Sequence, residues 1–279
     1  MITLHNIDFG YTKKQHLFKE LSLEMQKGHI YGLLGKNGSG KTSLLKIMAG
    51  LRFPQQGSTE VLGHRAAFRS PEMLGNMYFL SEEIFTPTLK IKQLAQVYAS
   101  FYPHFKREEY HHYLEEFDVK DKNLYIHKLS HGQKKKVMIS FALACNTDIL
   151  IMDEPTNGLD IPSKSIFRKV MASAANEDRL FVISTHQVRD LHSLIDTVII
   201  LDNGEIVVNA TDQCITEKLY FQAVEDKVDE KEVLYMEENL RGNLIVTENK
   251  QQIDSHLDLE LFFNAVMANK KRIKEIFNA

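Results

Sequence analysis

Gly35-Lys36-Asn37-Gly38-Ser39-Gly40-Lys41-Thr42 lies between the apolar run Ile30-Tyr31-Gly32-Leu33-Leu34 and a stretch in which Leu44, Leu45, Met48 and Leu51 share one helical face. Two spaced glycines followed by Lys and Thr form a phosphate-binding loop pattern, and a strand before it with a helix after it is the context that pattern requires. Gly35, Gly38 and Gly40 let the backbone take left-handed angles and approach a ligand closely. The amides from Gly35, Lys36, Asn37, Gly38, Ser39 and Gly40 through Lys41, Thr42 and Ser43, with the positive end of the helix, then surround a polyphosphate. Lys41 reaches the β- and γ-phosphates, and the Thr42 hydroxyl holds Mg²⁺. The competing reading, a Gly-rich turn before an ordinary helix, leaves that spacing unexplained. The stretch predicts a nucleoside triphosphate site.

A chain of 279 residues accommodates one large α/β domain plus an appendage. Its formal net charge of −3 gives no sign of a polyanion-binding surface. Cys145 and Cys214 are too few for a disulfide framework, which suits a reducing compartment. Met1-Ile2-Thr3-Leu4-His5 lacks the layout of a signal peptide, and no apolar run approaches the roughly 18 residues of a spanning helix. The expectation is a soluble, cytoplasmic protein whose link to a membrane runs through a partner.

Outward from the loop, the first 30 residues read as an antiparallel β layer, with Leu21, Leu23 and Met25 alternating with Ser22 and Glu24. Tyr11, ahead of the loop, is placed either to stack on a base or to pack in a hairpin. Val61-Leu62-Gly63 reads as a short strand and Asn76 to Leu80 as a longer one. From about residue 88 to 145 the pattern is helical, with Ile91, Leu94, Ala95 and Tyr98, then Tyr110, Tyr113, Leu114 and Phe117, at helical spacing. Ile149-Leu150-Ile151-Met152, Leu180 to Ile183 and Val198 to Leu201 read as buried strands. Short apolar runs alternating with helices imply a mostly parallel sheet covered on both faces, which binds its ligand beyond the carboxyl ends of its strands. Gly35, Asp153 and His186 each follow such a strand, so one sheet edge brings them together. Beyond about residue 210 the composition shifts. Glu225 to Glu232 is charge-dense and reads as a solvated face; Val233 to Tyr235 and Leu244 to Val246 read as strands; and one terminal amphipathic helix carries Leu259, Phe262, Phe263 and Val266. Lys270-Lys271-Arg272 is expected to complement a helix C-terminus, with weak contact to an anionic membrane surface as the minor alternative. The architecture predicted is a phosphate-loop core over 1–210 and a small α+β extension over 211–279.

Asp153 and Glu154 end a hydrophobic strand, where two adjacent carboxylates repel unless a cation or a chemical task justifies them. Beside a phosphate loop, Asp153 is suited to hold Mg²⁺ through water and Glu154 to act as base on the attacking water. Leu129-Ser130-His131-Gly132-Gln133 resembles the signature of ABC-type ATPases, and Asp153-Glu154-Pro155-Thr156 resembles their Walker B segment. Asn157-Gly158-Leu159-Asp160 is similar to their D-loop, and Ser184-Thr185-His186 to their switch histidine. Tyr11 matches the position that stacks on adenine. The resemblance spans about residues 1–210. The C-terminal portion resembles, more loosely, the ATPase subunits of ABC-2 type exporters, including those for antibiotics and antimicrobial peptides.

The resemblance implies ATP and Mg²⁺, a head-to-tail homodimer or heterodimer of ATPase subunits, and an integral membrane permease on a separate chain. Each ATP is then held by the loop of one subunit and by Ser130, Gly132 and Gln133 of the other, with Asp160 linking the two sites and His186 contacting the γ-phosphate. Two positions depart from the family. His131 stands where Gly is usual, with a Cβ that crowds the phosphate or needs an unusual backbone angle; Gly132 preserves the geometry, and His131 reads as a surface residue at a helix start. Glu82 stands where a Gln usually senses Mg²⁺ and the membrane subunit, and it accepts hydrogen bonds but donates none. Gln93 lies too late in the chain to substitute. Lys134-Lys135-Lys136, with no interleaved aromatics, reads as a solvated helix face rather than a nucleic-acid patch. The leading reading is an export ATPase docking its permease through about Thr88 to Val119 and the Glu82 loop. The alternatives are a soluble ABC ATPase on a ribosome- or DNA-associated partner and a non-hydrolysing sensor; the presence of Glu154 and His186 speaks against the latter.

Overall fold

The structure, a computed structural model, describes residues 1–12, 16–224, 233–239 and 242–278. The acidic run from 225 to 232 lies outside them. Strands β1 (Ile2–Phe9) and β2 (Phe18–Met25) precede β3 (Ile30–Leu34), which leads through the Gly-rich loop into α1 (Lys41–Met48). Next come β4 (Gln56–Val61), β5 (His64–Arg65), α2 (Pro71–Gly75) and β6 (Met77–Leu80). Helices α3 (Ile91–Tyr98), α4 (Arg107–Glu116) and α5 (His131–Ala144) then lead to β7 (Ile149–Asp153), α6 (Ile161–Ala174) and β8 (Leu180–Thr185). The hairpin β9 (Thr197–Asp202) and β10 (Glu205–Thr211) closes this part. Last come α7 (Asp212–Lys218), β11 (Leu219–Val224), β12 (Val233–Asn239), β13 (Gly242–Glu248), α8 (Leu259–Ala268) and α9 (Lys270–Asn278).

The central sheet runs β10-β9-β3-β8-β7-β6, parallel throughout except for β10. Strands β3, β7 and β8 are five or six residues long, mostly apolar and buried throughout, because both faces of the sheet are covered. Side chains alternate between two cores. Leu33, Ile149, Ile151, Val182 and Ile199 point toward α1 and the antiparallel layer β2-β1-β4-β5, whereas Leu34, Leu150, Met152, Ile183 and Ile200 point toward the helices α3 to α6. Register decides where chemistry collects: Leu34 pairs with Thr185, and Asp153 pairs with Ser184. The segments after β3, β7 and β8 therefore leave one edge of one sheet side by side, as expected for a binding edge.

Three sequence expectations need correction. Val61 ends β4, while Leu62 (φ 52°) and Gly63 (φ 79°) form the turn into β5, because two positive φ angles suit a tight hairpin rather than a strand. The terminal helix is two helices, α8 and α9, interrupted at Asn269, whose side-chain amide donates to the Leu234 carbonyl. Lys270 and Arg272 consequently open α9, the unfavourable end of its dipole for a cation. Ion pairs from Lys270 to Asp202 and Glu205 and from Arg272 to Glu248 hold them there.

The antiparallel sheet β11-β13-β12 and helices α8 and α9 share the core of the ATPase part: Phe262, Val266 and Ile273 belong to one continuous buried cluster with Val188, Leu191 and Ile183. Phe262 is wholly buried between the rings of Phe221 and Phe277. Phe262→Ala is expected to lower unfolding stability by about 3–5 kcal/mol. Because the core is shared, loss of ATPase activity and loss of secondary structure should shift together in a denaturant titration. Activity that survives melting of the C-terminal strands would show that two separate cores exist.

Candidate functional site

The loop after β3 is shaped by its glycines in two different ways. Gly38 (φ 82°) and Gly40 (φ 106°) occupy left-handed angles, and Gly40 is the N-cap of α1. Gly35 is needed for space instead: a Cβ there would lie 2.4 Å from the Leu201 carbonyl oxygen and 2.5 Å from Ser39 Oγ. The expectation of a left-handed angle at Gly35 is thus corrected to one of close approach. Lys41 is 7% exposed, and its Nζ donates to the carbonyls of Gly35 (2.7 Å) and Lys36 (3.3 Å). Burial pulls its pKa down, and Glu154, Asp153 and Glu82 work against that shift. Thr42 stands half-buried beside it, Ser43 is buried, and Ser39 Oγ is buried without a partner.

Across the edge, Asp153 is buried, and its Oδ1 accepts from Ser184 Oγ at 2.6 Å. Its Oδ2 is buried and has no partner. A buried carboxylate oxygen left unsatisfied is costly, and a hydrated divalent cation would satisfy it. Among the described residues, no group of three or more His, Cys, Asp or Glu could hold a metal ion. A cation here therefore needs the Thr42 hydroxyl and phosphate oxygens as well as Asp153, a donor set of hard oxygens suited to Mg²⁺.

Glu154 follows the strand with φ 48°, an angle that costs a non-glycine residue of order 1–3 kcal/mol. That turn aims its carboxylate back at the loop. Oε1 lies 2.8 Å from His186 Nδ1 and 3.9 Å from Lys41 Nζ. The pair is at hydrogen-bond distance, and the tautomer with a proton on Nδ1 is the one that donates to an ionised carboxylate. Glu82 accepts from Asn157 Nδ2 at 2.9 Å, which ties the loop after β6 to the turn after β7. Gln93 caps α3 by accepting from the Lys90 amide, far from that role.

Tyr11 is 62% exposed; its hydroxyl lies 2.7 Å from Ser43 Oγ, its ring meets Phe9 edge-on, and the Arg52 guanidinium sits 5.5 Å from its centre. An aromatic face is therefore presented next to the start of α1. Ser130, Gly132 and Gln133 are not joined to the loop. Ser130 and Gln133 close a capping box at the start of α5, and Asp160 caps α6 through the Ser163 amide. His131 sits in the first turn of α5 with no left-handed angle, so its Cβ is tolerated; its imidazole packs on Gly158, where a Cβ would lie 2.7 Å from Nδ1.

Sequence reasoning missed Lys135. It is 1% exposed, not solvated, and its Nζ donates to the Glu154 carbonyl at 2.5 Å. Burial draws this ammonium down to about 8, while Glu82, Glu154 and Asp153 hold it up. The missed signal was spacing: Lys135 shares a helical face with Ile139 and Ala142, both wholly buried. Also missed was the bracing of the segment after His186. Asp190 pairs with Lys164 at 2.7 Å, Arg189 pairs with Glu260, and the Leu257 carbonyl lies 2.5 Å from His192 Nε2.

Comparison with known proteins places the chain in a family. The family model for ABC transporters matches residues 18–157. The ABC transporter ATP-binding protein NatA of Bacillus subtilis is 31% identical over 217 residues, covering 74% of this chain and 88% of NatA. YtrB of the same organism, also an ABC transporter ATP-binding protein, is 26% identical over 208 residues, covering 74% of this chain and 70% of YtrB. Among solved structures, an ATP-binding subunit of an ABC transporter superposes with a TM-score of 0.69 at 24% identity, covering 77% of this chain and 92% of that one. A dimeric, post-hydrolysis form of the ATP-binding cassette MJ0796, bound to ADP and Pi, gives 0.67 at 21% identity, covering 76% and 98%. These last two likenesses carry the fold. The chain itself belongs to the ABC transporter family and is an ATP-binding subunit whose hydrolysis of ATP is coupled to transport.

Proposed function

We propose that this chain drives export through a separate integral membrane permease, working at the cytoplasmic face of the membrane as a head-to-tail dimer with two ATP molecules at its interface. The observation that supports a hydrolytic site best is the placement of the Glu154 carboxylate, within 2.8 Å of His186 and 3.9 Å of Lys41 at the edge where β3, β7 and β8 end. Lys41 and the loop amides bind the β- and γ-phosphates, and Tyr11 stacks on the adenine. Thr42, Asp153 and Glu82 would hold Mg²⁺, which would neutralise part of the phosphate charge. Glu154 takes a proton from the water that attacks the γ-phosphorus; the P–O bond to ADP breaks, and ADP and phosphate leave. His186 holds the carboxylate and the γ-phosphate in register. Ser130, Gly132 and Gln133 complete the site of the opposing subunit, where a helix N-terminus favours developing negative charge, and Asp160 links the two sites.

No helix among the described residues is long and apolar enough to cross a membrane. A cleft of about 270 Å³ beside the Glu82 loop, lined by Leu80, Phe85, Leu94, Tyr98, Met138 and Phe141, supports docking of a permease helix there; Phe85 is 77% exposed. Export, rather than import, rests on the looser likeness of the C-terminal portion to ABC-2 type exporter subunits. Affinity purification from solubilised membranes is expected to recover an integral membrane protein in stoichiometric amount. Recovery of ribosomes or DNA without such a protein would favour the soluble alternative.

A further inference from the structure

Glu154 is held in a strained backbone conformation by bonds at both ends of its residue. Its amide donates to the Ser184 carbonyl and lies 3.2 Å from Ser184 Oγ, anchoring it to β8. Its carbonyl accepts from the Asn157 amide at 3.2 Å and from Lys135 Nζ at 2.5 Å. The first three partners belong to the sheet and to the turn itself. Lys135 belongs to α5, the helix opened by Ser130 and Gln133. The carbonyl and the Cα–Cβ bond leave the same Cα, so a group that holds the carbonyl also holds the direction in which the side chain departs, and the contacts to His186 and Lys41 complete the placement of the carboxylate.

Burying a lysine without a full partner carboxylate is expensive, and Lys135 has none within ion-pair distance among the described residues. A structural role alone would be served by an apolar side chain on this face, where Ile139 and Ala142 are already wholly buried. The ammonium is aimed at one backbone oxygen, that of the residue whose side chain faces Lys41 and His186.

We propose that Lys135 is a positioning residue for hydrolysis: by donating to the Glu154 carbonyl it locks the left-handed turn and points the Glu154 carboxylate at the attacking water, and it ties that alignment to the helix whose first turn carries Ser130 and Gln133. The inference rests on Glu154 acting as the base. The Lys135 ammonium is engaged by the Glu154 carbonyl, whereas the carbonyls of the Gly-rich loop are engaged by Lys41, so its contribution is expected on turnover and not on ATP capture.

The test is steady-state ATPase kinetics on the full chain with Lys135→Met, which keeps length and bulk but removes the donor. Turnover is expected to fall by about 10–10²-fold while the KM for ATP and the melting temperature of the ATP-bound protein change little. Lys135→Arg, which restores a cationic donor, should recover at least part of that loss. A folded Lys135→Met protein with wild-type kcat would overturn the proposal, as would a loss confined to KM. Should Lys135→Met not fold, Lys135→Gln carries the test: its shorter amide does not span the gap, and wild-type kcat in that variant likewise overturns the idea. A Glu154→Gln background separates this inference from the reading beneath it. If Glu154→Gln is inactive and Lys135→Met lowers it no further, both stand. If Glu154→Gln stays active, the base assignment fails whatever Lys135 does. If Lys135→Met lowers the residual rate of the Glu154→Gln protein by its full factor, Lys135 acts independently of the carboxylate and the proposal fails alone.

Discussion

Glu154→Gln is expected to cut ATP turnover by about 10²–10⁴-fold while leaving ATP binding intact. The substitution preserves shape: the amide oxygen still accepts from His186 Nδ1, 2.8 Å away, and the left-handed turn at φ 48° is untouched. What is lost is a group able to take a proton, since an amide oxygen is a poor base near neutrality. A chain that binds ATP but does not cleave it should accumulate in the closed, nucleotide-bridged form. Size-exclusion chromatography with light scattering, run with ATP and Mg²⁺, is therefore expected to show a dimer for the variant and mostly monomer for the parent. Parent-like turnover would remove Glu154 from the role of base.

Lys41→Ala fails at an earlier step. The ammonium is almost wholly enclosed and is gripped by the carbonyls of Gly35 and Lys36, so it is pre-positioned over the loop. A hydrogen bond to a charged group contributes about 1.5–3 kcal/mol, which corresponds to a loss of ATP affinity of roughly 10–10²-fold. Titration calorimetry on the nucleotide-free protein reads this directly. The contrast with Glu154→Gln is the informative part, because one variant should bind without cleaving and the other should scarcely bind. Unchanged affinity in Lys41→Ala would contradict the assignment of that lysine to the phosphates.

Much of this site was legible in the sequence because its parts are local. The loop, the Asp153-Glu154 pair and His186 each announce themselves within a few residues of an apolar strand, and the parallel register then aligns them at one edge. The antiparallel layer was legible from alternation, and the helical stretch from its spacing of aromatics and aliphatics. Lys135 was not, because three consecutive lysines read as charge when the face shared with Ile139 and Ala142 should have decided. The strand Leu219–Val224 went unread because it follows α7 with no Gly or Pro between them. Arg189 with Glu260 and Lys270 with Asp202 join residues far apart in the chain, and no local pattern encodes such a pairing. The Leu62-Gly63 turn was misread because a leucine at φ 52° is rare enough that apolar character suggested a strand.

The grip of the C-terminal helices on the segment after His186 has a thermal consequence. Exposed ion pairs such as Arg189 with Glu260 add little by themselves, so the joint depends on the buried cluster that holds Leu261 and Phe262 together with Val188 and Leu191. Warming that loosens the last helices also loosens the backbone that carries His186, because both lean on that one cluster. Heating is therefore expected to remove turnover and folded structure in one cooperative step, with no temperature range in which the tail has melted and the motor still runs.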